Sequence, residues 1–150
     1  MNKIQQNFMN TKLFWRNILW AVVIFILCSI PGDDLPNTPL ISIPHFDKLV
    51  HFGMFFIMGI FLFAELSIQT KLKRIYSAVI ILALIAFYGG LIEYLQQNYF
   101  VHRSGDYWDL FADILGGIFA IIMYPWLKKQ KDLLLNCKPF NKISFLKKIL

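Results

Sequence analysis

Four long apolar stretches, residues 13–30, 49–66, 75–95 and 111–127, constrain this chain more than any single motif. A bilayer core of about 30 Å takes roughly 20 helical residues to cross, and each stretch approaches or meets that length. The chain is 57% hydrophobic and only 16% charged, with a mean hydropathy of +0.55, too apolar for an ordinary soluble domain. The expectation is an all-α membrane protein: a four-transmembrane-helix bundle in one domain.

The charges between the stretches are sorted. Thirteen of the fifteen basic residues fall at one end of the bundle: Lys3, Lys12, Arg16, Lys71, Lys73, Arg74, and all seven lysines from Lys128 onwards. Seven of the nine acids fall at the other: Asp33, Asp34, Asp47, Glu93, Asp106, Asp109 and Asp113. The positive-inside rule makes the basic face, and with it both termini, cytoplasmic. A net charge of +6 is then flanking charge that meets anionic lipid. No stacking platform or basic groove accompanies the lysines, so no nucleic-acid partner is expected. The outer end gathers the acids, His45, His51 and His102, and two cations, Lys48 and Arg103.

The first stretch has a basic start and an apolar core. Ser29-Ile30-Pro31-Gly32-Asp33 offers no small-x-small cleavage site, so it reads as a retained anchor. Leu27 stands where a lipobox needs a small residue before Cys28. Cys28 and Cys137 lie at opposite ends of the bundle, which excludes a disulfide between them. The chain divides into a cytoplasmic N-terminal tail (1–12), the four-helix membrane domain (13–127) and a basic amphipathic C-terminal tail (128–150), cytoplasmic or interfacial. Trp15 and Trp20 suit interfacial anchors. Four prolines between 31 and 44 impose an extended outer loop. Asp47 suits the N-cap of helix two and Asp106 that of helix four. Helix three should reach Gln96 or Gln97, and Pro125-Trp126 should end helix four.

Helical spacing decides which outer residues meet. Asp106, Asp109 and Asp113 share a face that continues through Gly116, Gly117 and Ala120. Small residues admit a neighbouring helix closely, so that face turns inward. Glu93 shares a face with Gln96 and Gln97, one turn above Gly89-Gly90. Asp47, Lys48 and His51 lie within one turn of helix two. An ionisable group in hydrocarbon costs roughly 2.5–3.5 kcal/mol or more, so His51, Glu93 and Asp113, the deepest, should face one another, a cation or water. The candidate ligand-binding residues are Asp47, Lys48, His51, Glu93, Gln96, Arg103, Asp109 and Asp113.

The same residues carry a family likeness. Asp47-Lys48-x-x-His51-Phe52, then Glu93-x-x-Gln96, Arg103, and Asp109-x-x-x-Asp113-x-x-Gly116 together resemble the VanZ-like membrane proteins over about residues 44–124. The resemblance implies a small four-helix protein of the bacterial cytoplasmic membrane, and links it by family name to glycopeptide-antibiotic resistance. The family commonly carries Asn where this chain has Asp113, which adds a negative charge.

Three readings follow. In the first, the outer-leaflet pocket binds a polar headgroup, either membrane lipid or a lipid-linked cell-wall precursor. Lys48 and Arg103 would meet its phosphate or carboxylate, and Gln96 and the acids its amine or sugar groups. In the second, the chain is a metal-assisted hydrolase or transferase acting on a lipid-linked phosphate, with His51, Glu93, Asp109 and Asp113 around a divalent ion. No His-Glu-x-x-His signature or nucleophile elbow is present, so neither a metal ligand nor a catalytic residue is assigned, and the cofactor stays open. In the third, the acids line an ion pathway, against which stand the apolar inner halves of helices three and four.

Overall fold

The computed structural model describes residues 3–31, 45–70 and 72–136. The expected extended loop with Asp33, Asp34, Pro36, Pro39 and Pro44, together with Lys71, Cys137 and the tail beyond Asn136, lies outside them. Among these residues there are four helices: α1 (Lys3–Ser29), α2 (Phe46–Gln69), α3 (Arg74–Asn98) and α4 (Tyr107–Asn136). No strand occurs among the described residues. Helices α2, α3 and residues 107–130 of α4 are each long and apolar enough to cross a membrane, and α1 carries a shorter apolar run, Trp15–Ser29.

The helix ends follow local chemistry. His45 precedes α2 in the left-handed region (φ 64°) and makes no side-chain cap, so the helix starts at Phe46 rather than at Asp47. Asp47 occupies the first turn instead, where a carboxylate suits the positive end of the helix dipole. Thr70 closes α2, both its N–H and its hydroxyl donating to Leu66 O, at 2.9 and 2.8 Å. Tyr99 and Phe100 N–H both reach Leu95 O after α3. Asp106 does cap α4: its Oδ1 accepts the Trp108 N–H at 2.9 Å.

Pro125 does not end α4, which runs on to Asn136. A proline inside a helix leaves the carbonyl four residues earlier without its donor. Here that carbonyl, Ile121 O, accepts from the Arg74 guanidinium at 2.7 Å. At the same end Arg16 donates to Phe61 O at 3.2 Å and stacks over the Phe61 ring. Asn17 donates to Glu65.

Helices α2 and α4 pack along the small-residue face of α4. A methyl on Gly59 would meet Ala120 Cβ at 2.6 Å, and one on Gly116 would run into the Phe52 carbonyl. Ile24, Phe55, Ile81, Ile85 and Ile92 form the fully buried centre. Trp20, expected at an interface, turns inward and donates its indole N–H to Met54 O at 3.0 Å. Trp15 is exposed. Leu19, Val22, Leu49, Val79, Phe87, Phe119 and Ile122 are exposed as well, an apolar exterior far beyond what a water-soluble monomer shows. It suits contact with lipid.

Candidate functional site

At the end of the bundle where α1 stops and α2 starts, the polar side chains form two rungs between α2 and α4. Lys48 and His51 lie one turn apart on α2, as do Asp109 and Asp113 on α4, so each pair presents both members to the facing helix. In the upper rung Lys48 Nζ lies 2.7 Å from Asp106 Oδ2, 3.1 Å from Asp109 Oδ1 and 3.1 Å from Asp47 Oδ2. In the lower rung His51 Nδ1 lies 3.0 Å from Asp113 Oδ1. Glu93 enters from α3 with Oε1 3.8 Å from the same nitrogen, while its Oε2 accepts the Asp106 N–H at 2.7 Å.

Burial deepens down the ladder. Asp47 is exposed and Lys48 partly so. His51, Glu93 and Asp109 are buried, and Asp113 is wholly enclosed at 0% exposure. Gly89 makes room for Asp113: a side chain there would meet Asp113 Oδ2 at 2.5 Å. That oxygen and Glu93 Oε1 lack a hydrogen-bond partner. Above the ladder, Asp106 is held below its usual carboxylate range, first by the hydrogen bond from Lys48 and then by the Trp108 N–H.

Two of the expected site residues also hold backbone near the end of α1. Gln96 donates to Cys28 O at 3.2 Å and Arg103 Nε to Ile30 O at 3.0 Å. Gln96 therefore holds one of the last carbonyls of α1, which a helix end leaves without an intrahelical donor, and Arg103 the carbonyl just past that end. Both also line a cavity of about 270 Å³ with His51, Asp47, Cys28 and Val50. A second cavity of about 590 Å³ opens between α3 and α4, lined by Glu93, Tyr94, Asp106 and Tyr107.

The sequence reading missed two participants. Asp106, expected to cap α4 and to share the Asp109–Asp113 face but not named among the ligand-binding residues, is also the shortest contact of Lys48. Cys28, set aside with the cysteines, forms part of the cavity wall, and nothing in its local sequence signals that.

Among the described residues the fold is thus all-helical, with three helices able to cross a membrane and a charged group held between α2, α3 and α4. The profile of the VanZ/LLP1 family matches residues 2–128, and the chain belongs to that family. An uncharacterised protein of Schizosaccharomyces pombe is 26% identical over 103 residues, covering 69% of this chain and 61% of the relative. The aligned region therefore spans about three fifths of that relative's length. No solved structure matches.

Proposed function

We propose that this is a multi-pass protein of the bacterial cytoplasmic membrane with four crossings, its basic face and termini in the cytoplasm. Its opposite end binds the polar headgroup of a membrane amphiphile in the outer leaflet. One observation carries the reading: the cavity beside α1 has a wall of two kinds. Leu27, Ile30, Phe46, Val50 and Met54 supply an apolar side, and His51, Gln96, Arg103 and Asp47 a polar one. Such a wall fits a molecule with a chain at one end and hydrogen-bonding groups at the other.

Arg103 suits a phosphate or carboxylate, and Gln96 with Asp47 suits amine or sugar groups. Membrane lipid and a lipid-linked cell-wall precursor share that chemistry. The connection to glycopeptide-antibiotic response rests on family likeness, which by itself does not carry function. It enters here through the wall-precursor ligand.

Native mass spectrometry of detergent-purified protein tests the reading. Wild type should retain a lipid adduct that Arg103→Ala loses and Arg74→Ala, at the opposite end, keeps. Lipid-free spectra for all three proteins would remove the headgroup site.

A further inference from the structure

The described residues hold two groups of donor atoms close enough to share an ion: Asp47 with Asp106 and Asp109, and His51 with Glu93 and Asp109. The first group already has its cation, because Lys48 Nζ reaches all three carboxylates within 3.1 Å. The second is different in kind. Its members come from three helices, all are buried, and one donor atom from each lies within 4.8 Å of the others.

Glu93 supplies an independent observation. Its side chain is only 10% exposed, yet Oε1 has no hydrogen-bond partner and faces His51 Nδ1 across 3.8 Å. A buried carboxylate oxygen left without a partner costs roughly 1–3 kcal/mol or more, and native proteins seldom leave one unexplained. Two donors each about 2.0–2.2 Å from a common ion lie at most about 4.4 Å apart, so the observed separation already falls within reach of one ion. Asp113 Oδ1, 3.0 Å from the same nitrogen, stands where a further donor would.

Charge points the same way. Glu93, Asp109 and Asp113 are buried carboxylates, and the ammonium of Lys48 reaches only Asp109 among them, which leaves a surplus of negative charge sheltered from water. A doubly charged ion offsets most of it. We infer that His51, Glu93 and Asp109 form a binding site for a divalent transition-metal ion, buried where α2, α3 and α4 meet. Imidazole with carboxylates suits zinc- or manganese-class ions, whereas calcium and magnesium prefer all-oxygen sets. The site stands whether or not the neighbouring cavity takes a lipid.

The test uses full-length protein in detergent, stripped with a chelator, reloaded separately with Zn²⁺ and Mn²⁺, desalted and measured by elemental analysis. Wild type should hold one equivalent of at least one of the two ions. Glu93→Gln and His51→Ala should bind it at least tenfold more weakly, and Asp47→Asn should keep it. Thermal unfolding of the wild type supplies a check that needs no variant: the loaded protein should melt higher, and chelator should reverse the gain. The site is overturned by a wild type without stoichiometric metal or thermal gain. Full metal content in a folded Glu93→Gln protein, or loss in Asp47→Asn alone, overturns it too. A lipid-free native spectrum bears on the headgroup reading and leaves the metal count untouched.

Discussion

Lys48 carries more of this site than its position in the sequence suggests. Its ammonium touches three carboxylates from two parts of the chain, so removing it leaves three like charges facing one another, the Asp109 one buried. Breaking a buried ionic network by deleting one member costs about 3–5 kcal/mol. Lys48 is partly exposed, which lowers the expectation for Lys48→Met to about 1–3 kcal/mol, read from chemical or thermal unfolding in detergent. The acid limb follows from Asp106. A carboxylate with a depressed native pKa adds stability that is complete above its unfolded value, near 3.8, and lost as pH falls through the lower native value. Melting temperature should therefore hold steady from neutral pH to about 5 as far as this group is concerned, and Asp106→Asn should flatten the decline below 4. An unchanged acid limb in Asp106→Asn would show that the ion pair does not act on folding. At this scale spacing put Asp109 and Asp113 on one inward face of α4, where both are buried, but did not say which helix they would meet. It did not reveal that Gln96 and Arg103 are tied to backbone carbonyls at and just past the end of α1, because such partners depend on where another helix happens to stop.

Between helices, the sharpest expectations concern glycine and proline. Gly116 faces the Phe52 carbonyl and Phe56 N–H at a distance that admits no side chain, whereas nothing lies within 4 Å of the space a Gly90 methyl would fill. Gly116→Ala should destabilise by about 1–3 kcal/mol through forced separation of α2 and α4. Gly90→Ala should be neutral or stabilise by up to about 1 kcal/mol through helix propensity. Equal melting temperatures for the two variants would contradict the close α2–α4 approach. Arg74 and Pro125 should be coupled, since the proline creates the vacancy on Ile121 O that the arginine occupies. Arg74→Ala should cost roughly 0.5–1.5 kcal/mol in the parent and clearly less in Pro125→Ala, where a restored N–H serves the same carbonyl; a double-mutant cycle reads this directly. The small-residue stripe of α4 was legible from its spacing. The passage of α4 through Pro125 was not, because the compensating arginine sits 51 positions earlier in the chain.

For the molecule as a whole, apolar length was the legible part, and it agrees with four described helices that expose many large apolar side chains. The proposed orientation has its own check. Single cysteines at Ser104 and at Lys128, in a background lacking Cys28 and Cys137, should react with a membrane-impermeant thiol reagent from opposite sides of intact cells or vesicles, Ser104 from outside. Labelling of both from one side would remove the proposed topology. The two hollows bear on what such an orientation encloses. His51 borders the one beside α1 and Glu93 the one between α3 and α4, with 3.8 Å between their facing atoms. Hollows on two flanks of the bundle thus have an imidazole and a carboxylate in their facing walls. Glu93, near the C-terminal end of α3, therefore also helps to keep two compartments apart.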